Sequence, residues 1–285
     1  MTLSASLLLV AVVAVHAQAP CGDTDADCKI KLYRDRINAD PKDIESYYNL
    51  SSALQYKGDY ASSIAPLDAY IASGVPKTEY LADAYDRRGY ARQKLGQHDM
   101  AVKDITRAIE LFPKTLYYGN RGYSYALLKQ YDLALADENK AISLDPKFSL
   151  GYFHRGFVYM EQKNYPPAIA DFTRVMELNS SESESYYNRG TIYFRQQQYV
   201  LAIKDLDKYL EMNISNPDSL ADGYLNRGLS YYYSDNAARA LVDFSKAVEL
   251  APDKKNCYTD RALAYRKLGK IALAEADEKK AATLN

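Results

Sequence analysis

The chain has 285 residues, 47% hydrophobic and 26% charged, a composition that supports a large buried core and argues against a disordered polymer. Its 36 lysines and arginines balance 37 acidic residues, which excludes a global field favouring nucleic acid or an anionic membrane surface. The 28 tyrosines, with no tryptophan, supply wide amphipathic surface with a hydroxyl on every ring.

Residues 7–15 form an unbroken apolar run, and Val15-His16-Ala17 offers small residues for cleavage before Gln18. The pattern predicts a signal peptide over 1–17 and a periplasmic or secreted mature protein, although no Lys or Arg precedes the run. The run is shorter than the roughly 20 apolar residues a membrane span needs. No segment beyond Ala19 has that character, so no stable membrane insertion is expected after cleavage. Pro20 argues against lipidation of Cys21. In an oxidising compartment Cys21 and Cys28 can close a small loop, or remain two unrelated thiols. Cys257 then stands as a packed, unpaired thiol near the last helix pair. Residues 18–43 form an extension in which Lys29 to Ala39, followed by Asp40-Pro41, reads as an amino-terminal capping helix.

From residue 44 onward the chain repeats itself. The block Tyr186-Tyr187-Asn188-Arg189-Gly190 has relatives at Tyr85 to Gly89, Tyr118 to Gly122, Tyr152 to Gly156, Tyr224 to Gly228 and Tyr258 to Ala262, at intervals close to 34 residues. About a dozen residues after each small residue comes an alanine: Ala101, Ala134, Ala168, Ala202, Ala240 and Ala274. Seven residues later stand Ala108, Ala141, Val175, Tyr209, Ala247 and Ala281, and Pro113, Pro146 and Pro252 close three of the units. Apolar residues at helical spacing, such as Tyr152, Tyr159, Ile169, Phe172 and Met176, make each unit two amphipathic helices joined by a turn. Small residues belong where such helices cross closely, Gly156 and Ala168 being one such place. One pair cannot bury its apolar face alone, so stacked neighbours must complete the core. The predicted units are 44–77, 82–114, 115–148, 149–182, 183–216, 221–254 and 255–285.

The pattern resembles the tetratricopeptide repeat, with Tyr in place of the leading tryptophan and Arg in place of the leucine before glycine. The resemblance covers residues 44–285 and implies an all-α, right-handed superhelical solenoid of helix-turn-helix repeats. The first unit departs most: Ser51 and Ser63 occupy the small positions, and Pro66 is expected to kink its second helix. The extra residues around Asn213 to Ser219 lengthen a turn, where a flexible joint is expected.

Catalytic chemistry is not legible. The two histidines beyond the signal, His98 and His154, have no metal-ligand spacing, and there is no zinc-type cysteine motif or phosphate-binding glycine loop. Gly122-Tyr123-Ser124-Tyr125-Ala126 imitates a nucleophile elbow, but that motif needs a strand-to-helix turn and this copy lies within a helix. No catalytic residue, metal or cofactor is therefore assigned. An arginine and an aspartate recur together, from Arg88 with Asp104 to Arg261 with Asp277, and both are missing from the first unit, where Leu50 and Pro66 stand. Joint presence and joint absence predict a structural ion-pair ladder, within a repeat or across to its neighbour.

The resemblance implies that first helices line a concave face where extended peptides bind. On that pattern Asn49, Asn120, Asn188 and Asn226 recur at one position, replaced elsewhere by Arg87, His154 and Asp260. Such amides can bond the backbone of an extended partner, satisfy neighbouring turns or face water. Tyr90, Tyr123, Phe153, Phe157, Met160, Tyr187 and Phe194 would share the face, as contact surface or as packing between adjacent first helices. The carboxylate-clamp subtype is excluded, since Tyr48 and Phe153 stand where its lysines belong. The resulting candidate site is Asn120, Tyr123, Phe153, Phe157, Tyr187, Asn188 and Asn226. The expected activity is non-enzymatic: an extracytoplasmic adaptor for a protein or peptide segment, with no nucleic-acid partner. Alternatives are a structural subunit that assembles or self-associates through its array ends, and a groove for a glycan or small ligand.

Overall fold

The computed structural model describes residues 21–22, 24–74, 79–212 and 214–284, so the predicted signal peptide lies outside the described residues. Every regular element among them is an α-helix. Contacts divide the described residues into two compact units, one up to residue 74 and one from residue 79.

The first unit holds α1 (Ala26–Ala39), α2 (Ile44–Tyr56) and α3 (Tyr60–Ala72). Each starts at an aspartate, Asp25, Asp43 or Asp59, whose side chain accepts the backbone N–H of Cys28, Ser46 or Ser62 and so satisfies a donor the helix leaves free. Ile30, Leu50, Ala53 and Leu54 bury together with Tyr33 and Ile37 against them, so α1 packs on the first repeat. Cys21 and Cys28 are joined in a disulfide across the start of α1, which decides between a closed loop and two separate thiols. α3 continues through Pro66 to Ala72 as one helix.

The second unit is an all-α solenoid of six hairpins: α4 (Glu79–Lys94) with α5 (His98–Leu111), α6 (Thr115–Leu127) with α7 (Tyr131–Leu144), and α8 (Ser149–Glu161) with α9 (Tyr165–Leu178). It continues with α10 (Ser183–Arg195) and α11 (Tyr199–Glu211), α12 (Pro217–Tyr233) and α13 (Ala237–Leu250), and α14 (Lys255–Lys267) and α15 (Ile271–Ala282). Each helix packs on the next, and each first helix also touches the first helix of the following repeat. First helices therefore form a continuous face.

The hairpins close where the small residues predict. Ala101, Ala134, Ala168, Ala202, Ala240 and Ala274 are fully buried. At Gly228 a Cβ would lie 2.6 Å from the Phe244 ring, so only glycine lets α12 meet α13 at this distance. Two first helices start ahead of their repeat units: α4 at Glu79, before the unit at 82, and α12 at Pro217, before the unit at 221. Proline suits a first helical turn because its missing N–H would be unpaired there, and Asn216 caps the N–H groups of Asp218 and Ser219. The Tyr209 hydroxyl then donates to the Ser219 carbonyl at 3.0 Å, so much of the expected flexible joint is an extra helical turn tied to α11.

Candidate functional site

The first-helix face is backed by a ladder of ion pairs. All six Arg–Asp pairs form, each within its own hairpin; Arg189 Nε and Nη2 donate to Asp205 at 2.7 and 2.8 Å, and the other five repeat this forked geometry. The aspartates are 3–6% exposed, and burial pushes the Asp243 carboxyl up even though Arg227 opposes the shift. In four repeats the remaining nitrogen crosses to the preceding second helix: Arg121 to Thr106, Arg155 to Asn139, Arg189 to Thr173 and Arg227 to Asp207. The pair is thus internal to a repeat, and its third bond joins repeats. Tyrosine rings flank the guanidinium, Tyr118 and Tyr125 lying 5.9 and 5.8 Å from that of Arg121. The tyrosine and the arginine that depart from the family pattern are therefore in contact with each other.

The asparagines do not form a uniform ladder. Asn120 Nδ2 donates to the Asp86 carboxylate of the preceding first helix at 3.0 and 3.2 Å. Burial raises the Asp86 carboxyl to about 6, and the Asn120 bond works against that rise. Asn226 Nδ2 reaches the Tyr187 hydroxyl at 2.9 Å and Thr191 Oγ1 at 3.4 Å, again on the preceding first helix. Of the three candidate amides, Asn188 alone makes no side-chain hydrogen bond among the described residues. The other two tie first helices together.

The aromatic residues are partly buried. Tyr187 tilts against Tyr209 at 5.1 Å between ring centroids, and Phe153 meets Phe172 edge-on at 5.9 Å. Phe157 packs against two core clusters, one centred on Phe172 and one on Val158, and so bridges neighbouring repeats. Tyr123 stacks on His154 at 4.7 Å. The structure thus brings Tyr123, Phe153 and Phe157 together around α6 and α8, and Tyr187, Asn188 and Asn226 around α10 and α12.

Sequence reasoning missed Glu138. It stands where Ile105, Phe172, Leu206 and Phe244 plug four of the other hairpins, while Glu278 at the same place in the last hairpin is exposed and paired with Arg266; Glu138 by contrast is fully buried and faces Gly122. Its Oε1 lies 3.2 Å from His154 Nδ1, while Oε2 has no partner. Burial raises its carboxyl from 4.5 to about 7, with the His154 bond opposing. The legible signal was an acid directly after the ladder aspartate, with glycines at both 119 and 122 to make room for it.

Such a stack of helical hairpins, with a continuous first-helix face and no group of three or more metal-ligating side chains among the described residues, defines a helical-repeat protein. Residues 82–115, 116–148, 183–216 and 221–254 each match a tetratricopeptide repeat model, and the chain belongs to the tetratricopeptide repeat family. No curated protein matches the sequence. Among solved structures, the Cut9–Hcn1 hetero-tetramer of the APC/C is similar at 18% identity and a TM-score of 0.71, over 86% of this chain and 46% of that one. The present chain thus spans about half of that relative. A tetratricopeptide repeat protein from Parabacteroides merdae aligns at 21% identity and TM-score 0.62, over 85% and 93% of the two chains. IFIT1 with Gppp-AAAA aligns at 15% identity and TM-score 0.63, over 93% and 69%. At these identities the likeness concerns the fold. No described helix is long and apolar enough to cross a membrane.

Proposed function

We propose that this chain is a non-enzymatic, extracytoplasmic scaffold that holds a segment of a partner protein on the first-helix face of repeats three to five. The observation that carries this reading is that face itself. First helices succeed one another in contact, Tyr123, Phe153, Phe157 and Tyr187 are each only partly buried, and Asn188 offers an amide with no hydrogen bond among the described residues. Aromatic rings anchor a bound segment, and an amide can bond its backbone whatever its side chains. The test places a photo-crosslinking residue at position 188 and maps the captured segment in cells. Capture that is lost in Tyr123→Ala/Phe157→Ala, with helicity retained, supports the reading; capture untouched by that pair overturns the site. Export is tested by sequencing the mature amino terminus, expected at Gln18.

A second reading, assembly through the array end, draws on Leu263, Leu268, Ile271 and Leu273, which are 38–49% exposed on the last hairpin. Loss of capture on Ile271→Ser/Leu273→Ser, with the pair Tyr123→Ala/Phe157→Ala harmless, favours it.

A further inference from the structure

Glu138 and His154 form a buried acid–base pair that the scaffold does not need, since Ile, Phe or Leu fills the same place in four other hairpins. Glu138 is 0% exposed and the His154 side chain 12% exposed. His154 lies on α8 at the position that asparagine takes in neighbouring repeats, between Tyr123, stacked at 4.7 Å, and Phe153, edge-on at 6.1 Å. The charged groups around the pair are already committed. Asp137 is gripped by Arg121 from α6, and Arg155 on α8 is held by Asp171 and Asn139. On α6 the residues opposite Glu138 are Gly119 and Gly122, which bring no charge. His154 is thus its one polar partner. His154 Nε2 makes no hydrogen bond among the described residues and is not among the buried unpartnered atoms, so it reaches solvent.

Proton placement follows from this geometry. While the pair shares one proton, that proton sits on Glu138 Oε1 or on His154 Nδ1. In both placements Nε2 carries a hydrogen and donates outward. If the proton leaves, the remaining imidazole hydrogen must sit on Nδ1, facing the carboxylate, and Nε2 becomes a bare acceptor. Burial favours the shared state, because losing the proton leaves an uncompensated anion with one oxygen already unpartnered.

We propose that His154 is a specificity-determining position of the partner-binding face, its Nε2 donating to an oxygen acceptor of the bound segment only while the Glu138–His154 pair retains its proton. The acceptor is a main-chain carbonyl or a carboxylate seated between Tyr123 and Phe157. This rests on the scaffold reading above. Binding is then stronger at pH 6 than at pH 8, by about tenfold for one such bond. The rise of the Glu138 carboxyl to about 7 puts the transition between those values.

The test selects twelve-residue peptides from a random display library on the full mature chain at pH 6 and measures their affinity at pH 6 and pH 8. His154→Phe keeps a ring against Tyr123 without the nitrogens. Glu138→Leu copies the Leu206 and Gly190 pairing and lets the imidazole keep hydrogen on Nε2 at both pH values. The expected result is a wild-type affinity that drops about tenfold at pH 8, a His154→Phe variant weak at both, and a Glu138→Leu variant with little pH dependence. Replacing each Asp or Glu of a selected peptide by its amide separates a carboxylate acceptor from a main-chain carbonyl. Equal wild-type affinity at the two pH values, or a pH dependence that survives His154→Phe, overturns the proposal. If no peptide is selected, the scaffold reading fails by itself. The pair is then decided by side-chain nitrogen NMR of His154: Nε2 protonated at pH 6 and bare at pH 8 sustains the switch, and Nε2 protonated at both removes it.

Discussion

Arg189 grips Asp205 through two parallel hydrogen bonds of 2.7 and 2.8 Å, and its remaining nitrogen donates to Thr173 of the preceding repeat at 2.7 Å. One side chain thus closes a hairpin and fastens that hairpin to its neighbour. Asp205 is 3% exposed, so removing the arginine leaves a buried carboxylate without a counter-charge. Arg189→Ala should destabilise by about 3 kcal/mol, as for other broken buried pairs. In a double-mutant cycle with Asp205→Ala, chemical denaturation should show coupling between about 0.5 and 3 kcal/mol. Additive losses would mean that the two side chains do not act as a pair.

Close helix crossings should resist even a methyl group. At Gly228 the added carbon would meet the Phe244 ring, which is itself fully buried and has no free space to move into. Gly228→Ala is therefore expected to cost about 1 to 3 kcal/mol by overpacking, against the helix propensity that alanine normally gains over glycine. A melting temperature at or above wild type would show that the two helices can part enough to admit the methyl.

The buried acid gives a stability profile of definite sign. Because the folded-state value of Glu138 is raised from 4.5 to about 7, its contribution is fully present below about 4.5 and is lost as pH rises through about 7. Glu138→Leu should therefore stabilise the fold more at pH 8 than at pH 4.5, by up to a few kcal/mol, since each tenfold change in proton affinity is worth about 1.4 kcal/mol. Denaturation of both proteins at the two pH values measures the difference. An equal gain at both would remove the assignment of a raised proton affinity to the buried Glu138.

Turns within the hairpins carry a small, removable strain. Lys129 and Lys163 adopt a φ of 58°, a left-handed conformation that Gly58, Gly96 and Gly269 occupy in other hairpins. Side chains cost about 1 to 2 kcal/mol in that region, partly offset by the greater freedom glycine has when unfolded. Lys163→Gly should accordingly raise stability by a few tenths to about 1 kcal/mol. A decrease in the midpoint of unfolding would show that the lysine side chain contributes more than its backbone strain.

The recurring spacing alone determined the helical hairpins, their small-residue crossings and the presence of an Arg–Asp ladder, while the structure decided that each pair closes within its own hairpin. These rest on interactions within about 16 residues on two joined helices, and a helical period fixes which residues face each other across one turn. The helix over Lys29 to Ala39 was legible from its stop at Asp40-Pro41, whereas the packing of Ile30, Tyr33 and Ile37 came from the structure. Stacking decided the rest. Asn120 and Asn226 share a sequence position, yet one bonds Asp86 and the other Tyr187 and Thr191. Which partner an amide meets depends on how one first helix lies against the next and on which polar groups its neighbour presents. Glu138 belongs to the same class: only packing against Gly122 and the following hairpin shows that this carboxyl is wholly removed from water, with His154 as its hydrogen-bond partner. A sequence position names the chemical group, but the loss of water that raises its proton affinity exists only once neighbouring repeats have closed over it.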